Sequence, residues 1–392
     1  MIDVVLQPGR DRSVRRRHPW VLSGAVARVE AGEEAATPGA FARVLSAEGD
    51  VLGFGHFSPH SALRVRLLAL GEQAPPESWL EERIAAALAR RAGDPLLRDT
   101  DAVRLVNAEA DGLPGLVADR YADVVVVKLT SAGMAARREA VASALEAATA
   151  AAVGFELADS SAARREGFAA RQGPLWGAPP IGPVAIRERG RRYLVDVLAG
   201  QKTGFYLDQR DSRDLVESLA EGRRVLDVFA YTGGFSVAAA RGGARSVTAV
   251  ESSSAALALA RENLAANAPD LAPELIRADA FRFLREDAGA YDLIVLDPPP
   301  LARRRRDVPR AARAYKDVLL HALRRAAPAA RLLVFACSYH VGPELFRKIA
   351  FGASLDAGRK LRVLRGLGLP ADHPVSLDHP EGAYLDGLLL EA

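Results

Sequence analysis

Two side chains in the last third of the sequence have the types needed for chemistry on a nucleic-acid base. Cys337, the only cysteine among the 392 residues, ends the apolar run RLLVFAC. Asp297 follows the apolar run YDLIVL and precedes Pro298 and Pro299. A thiolate is nucleophilic near neutral pH and can add to carbon 6 of a pyrimidine, which makes carbon 5 reactive. A carboxylate in a proline-stiffened turn can hydrogen-bond a flipped base. We therefore predict that Cys337 and Asp297 are catalytic.

Each of these two positions has a structural alternative. A lone cysteine is often a buried, unreactive core residue, and a proline-rich turn can simply end a strand. The polar continuation Ser338, Tyr339 and His340 favours a strand end that opens into a site. The nucleophile is therefore the leading interpretation of Cys337, and this residue decides which atom of a base would react.

A site for a methyl donor is predicted upstream of these residues. The segment RVLDVFAYTGGF, residues 224–235, has the pattern of a strand, a glycine turn and a helix start. It lacks the GxGxxG spacing that packs against a pyrophosphate, and S-adenosylmethionine has no pyrophosphate. The helix start offers backbone N–H groups, and Asp227 at the strand end suits the ammonium of the donor. Glu251 and Asp279 end the next two predicted strands, where acids can accept hydrogen bonds from a ribose or an adenine.

The predicted donor-binding residues are expected at one edge of the sheet. They are Asp227, Phe229, Tyr231, Gly233, Glu251, Asp279, Ala280 and Asp297. The alternatives are a different Rossmann-type nucleotide for the turn and a helix cap for each acid taken alone. Acids at three successive strand ends are harder to explain by capping, so S-adenosylmethionine is the predicted cofactor.

Lys316 is a third candidate catalytic residue. In the run AYKD it could bind a target phosphate or stabilise developing charge, and the alternative is a solvated helix face. His56 and His60 lack the cysteines or carboxylates that would complete a metal site, so no metal is predicted.

The elements that must position these residues alternate regularly between strand and helix. From about residue 186 onward this rhythm predicts an α/β fold, a Rossmann-like domain with a mostly parallel, doubly wound sheet. Ligands of such sheets bind outside the carboxyl ends of the strands. The preceding sequence predicts a small β-rich domain and then a compact α+β domain. The predicted boundaries are 1–72, 73–185 and 186–392.

Composition and charge exclude several classes of protein. No apolar run approaches the roughly 18 residues of a membrane span, and the N-terminus is too polar for a secretory signal. A single cysteine excludes an internal disulfide framework and fits a cytoplasmic location. The net charge is +3, yet only five of the 52 basic residues are lysine. An arginine-rich genome explains much of this bias, but the runs at 15–17 and 303–306 are candidate phosphate contacts.

Short motifs across nearly the whole chain resemble one known family. They are HPWV (18–21), DGLPGL (111–116), GQKTGFYLDQR (200–210), DPP (297–299), YKD (315–317), CS (337–338), ADHP (371–374) and PEG (380–382). The most specific of them is GQKTGFYLDQR. The chain resembles the bacterial class I ribosomal RNA methyltransferases with an N-terminal PUA domain, whose best-known member makes 5-methylcytosine in large-subunit RNA.

The resemblance implies a PUA domain, a central RNA-binding α+β domain and a Rossmann-like methyltransferase domain. It also implies that Phe205 and Gln209 lie near the donor, that Cys337 is the nucleophile and that ribosomal RNA is the partner. Many members of the family are homodimers. The loop after Asp297 departs from the family, because Pro300 and the arginine run replace the common small, aromatic or lysine-bearing versions.

The leading prediction is therefore an RNA-binding enzyme of ribosomal RNA processing that forms 5-methylcytosine through a cysteine-linked intermediate. One alternative is methylation of guanine at N7 or N2, since a related methyltransferase shares the KTGFYLDQR-like run without needing the thiol. A second alternative is a non-catalytic ribosome-assembly factor that binds RNA, although the complete donor motif argues against it.

Overall fold

A computed structural model describes residues 1–31, 36–302 and 304–392. Arg303, the first residue of the predicted arginine run at 303–306, lies outside the described residues. The contacts within the chain divide it into two units. The first unit consists of Met1–Val184, Asp196–Phe205 and Ala371–Gly382. The second unit consists of Ala185–Val195, Tyr206–Pro370 and Ala383–Ala392.

The N-terminal part of the first unit is built on a β-sheet. Its strands among the described residues are β1 (Ile2–Leu6), β2 (Trp20–Leu22), β3 (Val26–Ala31), β4 (Phe41–Leu45), β5 (Val51–Phe57) and β6 (Leu63–Leu70). Their order is β2-β6-β5-β4-β1-β3, and the short helix α1 (Arg12–Arg15) follows β1. Val4, Val44 and Val65 are fully buried, because alternate residues of each strand point to the same side of the sheet.

A second sheet of the first unit carries helices. Its strands are β7 (Ala102–Asn107), β8 (Leu116–Tyr121), β9 (Val124–Leu129), β10 (Val153–Glu156) and β11 (Gly173–Trp176). The helices are α2 (Trp79–Ala92), α3 (Ala132–Ala135), α4 (Arg138–Thr149) and α5 (Ser160–Glu166). Ile84 of α2, Val127 of β9 and Leu145 of α4 are fully buried in one apolar core. This core holds the central sheet and its helices together.

The second unit begins with a hairpin and continues as a seven-stranded sheet within the described part of the chain. The hairpin strands are β12 (Val184–Glu188) and β13 (Arg191–Val195). The sheet strands are β14 (Arg224–Val228), β15 (Ser246–Glu251), β16 (Glu274–Arg277), β17 (Tyr291–Leu296), β18 (Ala326–Cys337), β19 (Arg362–Leu367) and β20 (Leu385–Glu391). The helices are α6 (Arg210–Leu219), α7 (Gly234–Arg241), α8 (Ser254–Asn267), α9 (Ala280–Glu286), α10 (Val308–Arg325) and α11 (Pro343–Ala357).

Helices cover both faces of this sheet, as the alternating pattern predicts. Phe335 of β18 stacks on Phe235 of α7 at 5.9 Å. The next residue, Ala336, lies in the core formed with Leu319 of α10 and Ala353 of α11. Because neighbouring strand residues face opposite ways, α7 and the α10–α11 pair lie on opposite faces. The predicted doubly wound α/β sheet is confirmed.

The strand order places the candidate residues side by side. The sheet runs β16-β15-β14-β17-β18-β20-β19, with β20 antiparallel to both β18 and β19. The direction of winding reverses between β14 and β17, which is where open α/β sheets bind their ligands. Asp227 lies in β14, Asp297 directly follows β17 and Cys337 ends β18. Three neighbouring strands therefore deliver these three side chains to one edge.

None of the helices in the described residues is long and apolar enough to cross a membrane.

Candidate active site

The turn after β14 has a backbone conformation that non-glycine residues rarely adopt. Phe229, Tyr231 and Gly233 have φ angles of +67°, +48° and +79°. Non-glycine residues in the left-handed region cost free energy and cluster at functional sites. At Gly233 a side chain would also meet Ala260, since an added Cβ would lie 3.1 Å from the Cβ of that residue. The turn is therefore held in a shape that brings backbone groups to the edge of the sheet.

Asp227 is a buried carboxylate with an unused oxygen. Its side chain is almost fully buried, and its Oδ2 accepts a hydrogen bond of 2.6 Å from Ser236. Its Oδ1 has no hydrogen-bond partner in the part of the chain that the structure describes. Burial, with the negative charges of Asp297 and Glu251, raises the pKa of Asp227 to about 7 even though Ser236 acts in the opposite direction. A cation that reached Oδ1 would satisfy this oxygen and favour its ionised form.

Glu251 fixes the same turn from the neighbouring strand β15. Its Oε2 accepts from the backbone N–H of Tyr231 at 3.1 Å. Its Oε1 accepts from the backbone N–H of Ser253 at 2.8 Å. The Ser252 hydroxyl also donates to Oε1 at 3.1 Å. Oε2 can accept a second hydrogen bond, so a ribose hydroxyl is still compatible with this acid.

Asp279 caps helix α9. Its Oδ1 accepts from the backbone N–H of Arg282 at 2.9 Å, which is the capping alternative weighed for this residue. Ala280 is buried behind it, and Phe281 packs edge-on against Phe229 with ring centroids 6.1 Å apart. The capping role leaves Oδ2 available, and the contacts of Asp279 and Ala280 with a donor stay a prediction.

Asp297 lies between a glutamine and the cysteine. Gln209 Nε2 donates to Asp297 Oδ2 at 3.0 Å, and Cys337 Sγ donates to Asp297 Oδ1 at 3.4 Å. Gln209 is almost fully buried, and its Oε1 has no hydrogen-bond partner among the residues described. The thiol and the carboxylate are both partly exposed. Asp297 is thus positioned to take the proton of the thiol.

Two tyrosines near this pair were not identified from the sequence. The ring of Tyr206 meets that of Tyr231 edge-on at 5.5 Å. Burial, followed by the charges of Asp297, Asp208 and Cys337, raises the pKa of Tyr206. Tyr315 is also buried, and burial together with the charge of Cys337 raises its pKa. Tyr206 lies in the motif GQKTGFYLDQR and Tyr315 lies in the motif YKD. Membership of these motifs was the signal by which the sequence could have identified both residues.

Lys316 lies beside Tyr315 on α10 but is engaged elsewhere. Its Nζ pairs with Asp356 Oδ2 of α11 at 2.7 Å, and 38% of its side chain is exposed. The structure thus gives Lys316 a partner between two helices. Its predicted catalytic role remains a prediction.

A buried ion cluster supports the segment that carries Tyr206 and Gln209. Glu188 is fully buried and receives two hydrogen bonds from Arg213, at 2.7 and 2.6 Å. Arg213 also donates to the backbone oxygen of Tyr206 at 2.9 Å. Burial opposes ionisation of Glu188, but Arg213, Arg210 and Arg191 outweigh it and lower its pKa to about 2. The cluster therefore anchors the start of α6, where Gln209 reaches Asp297.

Phe205 belongs to the first unit, although the motif continues into the second. Its backbone N–H donates to the Tyr121 hydroxyl at 3.3 Å, and that hydroxyl also contacts Thr203 Oγ1 at 2.8 Å. Thr203 donates to Asp119 at 2.6 Å. The first half of the motif is thus tied to β8, and the predicted contact of Phe205 with the donor stays a prediction.

The described residues contain no group of three or more His, Cys, Asp or Glu that could hold a metal ion. His56 is a core residue, since burial lowers its pKa to about 3 and neither ring nitrogen has a hydrogen-bond partner in the described ranges.

The residues fit S-adenosylmethionine as a ligand. Asp227 Oδ1 and Gln209 Oε1 are buried acceptors that lack donors within the described chain. The ligand brings an ammonium and hydroxyl groups, which are donors. Asp227, Gln209 and the turn at Gly233 would hold it, with Glu251 at the ribose.

Comparisons with known proteins agree with this geometry. A family model described as an S-adenosylmethionine-dependent methyltransferase matches residues 110–368, and a PUA-like domain model matches residues 4–70. The protein named ribosomal RNA large subunit methyltransferase I of Salmonella arizonae is 38% identical over 98% of this chain and 96% of its own. The protein of that name from Alteromonas mediterranea is 39% identical over 99% and 98%.

Solved structures show the same fold. SMU.776, a methyltransferase structure complexed with SAH, covers all of both chains with a TM-score of 0.85 at 22% identity. A structure assigned as a SAM-dependent methyltransferase from Streptococcus mutans has a TM-score of 0.83 at 22% identity. The predicted PUA-like domain, class I methyltransferase fold and S-adenosylmethionine cofactor are confirmed. The chain belongs to the family of S-adenosylmethionine-dependent methyltransferases.

Proposed function

We propose that this protein methylates carbon 5 of a cytosine in large-subunit ribosomal RNA, with Cys337 as the covalent nucleophile. The contact of 3.4 Å between Cys337 Sγ and Asp297 Oδ1 carries this proposal. It pairs a nucleophile with a proton acceptor at two neighbouring strand ends, beside the turn that fits the methyl donor. A guanine-nitrogen enzyme would not need the thiol.

The proposed methylation needs few protein side chains. Asp297 accepts the thiol proton, and the Cys337 sulfur adds to carbon 6 of the cytosine. Carbon 5 then becomes nucleophilic, and S-adenosylmethionine supplies the electrophilic methyl group. A base removes the proton from carbon 5, and elimination of the sulfur restores both the ring and the enzyme. Gln209 holds Asp297 in place during these steps through its 3.0 Å hydrogen bond.

The relatives support ribosomal RNA as the substrate. Proteins 38–39% identical over nearly the whole chain are named for the large-subunit RNA. The PUA-like domain at 4–70 is consistent with RNA binding. On this proposal the enzyme works in the cytoplasm, where its substrate is. Homodimer formation, which the family resemblance implies, remains a prediction.

The test is a trapping experiment on large-subunit ribosomal RNA transcribed with 5-fluorocytidine. Fluorine at carbon 5 blocks removal of a proton, so an enzyme that forms the proposed adduct stays attached to the RNA under denaturing conditions. We expect the unchanged protein and Tyr339→Phe, an exposed neighbour, to form the adduct, and Cys337→Ala to form none. Nucleoside mass spectrometry of ordinary transcript should show 5-methylcytidine. A methylated guanosine made equally well by Cys337→Ala would refute the proposal.

A further inference from the structure

The first unit contains a cavity that the proposed reaction does not use. Its volume is about 150 Å³, and Arg17, Pro19, Leu68, Glu109, Gly112 and His379 are among the residues that line it. Segments distant in sequence meet here: HPWV at 18–21, DGLPGL at 111–116, and the stretch between ADHP (371–374) and PEG (380–382). These segments belong to or adjoin motifs that resemble the methyltransferase family, and the methyl-transfer site leaves them without a role.

One wall of the cavity is held by a buried polar network. Glu109 Oε1 accepts from Trp20 Nε1 at 2.8 Å and from Arg66 at 2.8 Å. The Arg66 guanidinium lies over the Trp20 ring, 5.6 Å from its centroid, and also donates to Glu166 at 3.1 Å. A wall with this many mutual contacts is formed before any ligand arrives.

A second arginine joins two lining segments. Arg83 donates to the carbonyl oxygen of Gly112 at 2.6 Å and to that of Leu68 at 2.7 Å. Gly112 has a φ of +70°, and an added Cβ would lie 3.5 Å from the Arg83 side chain. The distance between the strand β6 and the glycine turn is therefore set by one guanidinium.

His379 lines the cavity with a largely buried aromatic ring. Its Nε2 is itself buried, has no hydrogen-bond partner among the described residues and lies 3.9 Å from Glu381 Oε2. Its ring lies 4.5 Å from that of Trp20 in an edge-on contact. Burial lowers the pKa of His379, with nearby acids opposing the shift. A neutral aromatic ring at the cavity suits contact with a planar ligand such as a base.

The rim of the cavity carries an exposed arginine. The Arg17 side chain is 72% exposed, and its ion-pair partner Asp378, which also lines the cavity, is 3.8 Å away. Arg15 of the same run is different, because Asp11 at 2.5 Å and Asp50 at 2.7 Å already neutralise it. The predicted phosphate contact at 15–17 is thus narrowed to Arg16 and Arg17, and Arg17 alone lines the cavity.

We propose that this cavity binds one unstacked nucleotide of single-stranded RNA, with the base inside against His379 and the adjoining phosphate on Arg17. The inference rests on the proposed function, because an RNA methyltransferase must hold its substrate outside the reacting nucleotide. The cavity admits one planar ring system rather than a helix or a strand. Aromatic and histidine edges with an exposed guanidinium are the groups that bind unpaired nucleotides.

The experiment measures binding of 5′-fluorescein-labelled RNA decamers A10, C10 and U10 by fluorescence anisotropy at fixed salt. Arg17→Glu is compared with Arg16→Glu, which makes the same charge change on an exposed neighbour. His379→Phe is compared with His60→Phe, an exposed histidine away from the cavity. Circular dichroism and thermal unfolding check that each variant keeps its fold.

We expect Arg17→Glu and His379→Phe each to weaken RNA binding by about tenfold relative to their controls, the effect of one lost phosphate or base contact. Decamers of U10 with one 4-thiouridine should photo-crosslink to peptides that contain residues 17–20, 67–70 or 376–379. If His379→Phe does not fold, the comparison of Arg17→Glu with Arg16→Glu and the crosslinks still test the inference.

Four results would overturn the inference. Equal losses in Arg17→Glu and Arg16→Glu would show general charge attraction only. Crosslinks confined to other peptides would place the RNA elsewhere. A protein that methylates ribosomal RNA but binds no decamer would refute the cavity and leave the proposed function standing. A protein that neither methylates nor binds any RNA would refute the proposed function, and the cavity inference with it.

Discussion

Two carboxylates of the second unit are equally buried and have opposite electrostatics. Glu188 is surrounded by Arg213, Arg210 and Arg191, and its pKa falls to about 2. Asp227 has hydrogen bonds from Ser236 and the negative charges of Asp297 and Glu251 nearby, and its pKa rises to about 7. Burial acts against the charged form in both cases. The nearby cations therefore decide which carboxylate is part of the scaffold.

This difference distinguishes a carboxylate that stabilises the fold, Glu188, from one that is available to a ligand, Asp227. Glu188 is paired in the folded protein and ties the hairpin strand β12 to α6. Asp227 has an acceptor oxygen that lacks a partner in the described residues and sits at the edge where ligands bind. A buried charge without a counter-charge costs stability unless a ligand supplies one. The missing counter-charge at Asp227 therefore points to a cationic group of the ligand.

The largest effect is expected for Glu188→Leu. Removing the carboxylate takes a counter-charge from the buried guanidiniums of Arg213, Arg210 and Arg191, so the free energy of unfolding should fall by about 3–5 kcal/mol. Urea denaturation at pH 8 measures the change. Asp227→Asn is the matched control, and it should leave the free energy of unfolding unchanged or raise it, because it removes an unpaired buried charge. Equal destabilisation by both substitutions would contradict the comparison.

The second effect concerns Asp227 and pH. A folded pKa of about 7 lies above the ordinary value of 3.8, so the unfolded chain releases this proton first and stability falls as pH rises from about 4 to 7. Ligand binding should show the reverse trend. The ammonium of S-adenosylhomocysteine favours ionised Asp227, so its affinity should rise with pH through about 7.

Calorimetric titration of S-adenosylhomocysteine from pH 5.5 to 8.5 tests this expectation. At pH 8 Asp227→Asn should bind about tenfold or more weakly, since it loses a hydrogen bond between charged groups worth roughly 1.5–3 kcal/mol. The variant should also lose the rise in affinity through pH 7. An unchanged pH profile would show that Asp227 does not meet the ammonium.

The smallest effect is expected for Lys316→Ala, because the Lys316 charge is exposed and already paired with an opposite charge. Both side chains of the Lys316–Asp356 ion pair are partly exposed. Such pairs contribute about 1 kcal/mol or less to the free energy of unfolding. Thermal unfolding should therefore change little, and methylation of ribosomal RNA should be retained. A loss of activity above about tenfold with an intact fold would instead support the predicted catalytic role.

The fold was largely predictable because its pattern is repetitive. Strand and helix alternate from β14 onward, and the apolar runs before Asp297 and Cys337 are the buried strands β17 and β18. Antiparallel β20 was the less predictable part, since its insertion between β18 and β19 depends on long-range pairing.

The candidate site was predictable to the extent that it consists of strand ends. Asp227, Asp297 and Cys337 lie on adjacent strands because parallel strands place their carboxyl ends at one edge. Tyr206 and Tyr315 could not be assigned in this way, because their proximity to Cys337 depends on a turn and on one face of α10. Arg15 and Arg17 look alike in the sequence and differ only in which acids surround them.

The sequence by itself determined the alternating fold, the acids at the strand ends and the single thiol that follows β18. These features are local or periodic, so they do not depend on how the side chains pack. Only the tertiary structure decided which charges are compensated. The partners of Glu188, Lys316 and Glu109 come from residues up to about a hundred positions away. Burial and counter-charge act through space, so the opposite states of Asp227 and Glu188 follow from packing.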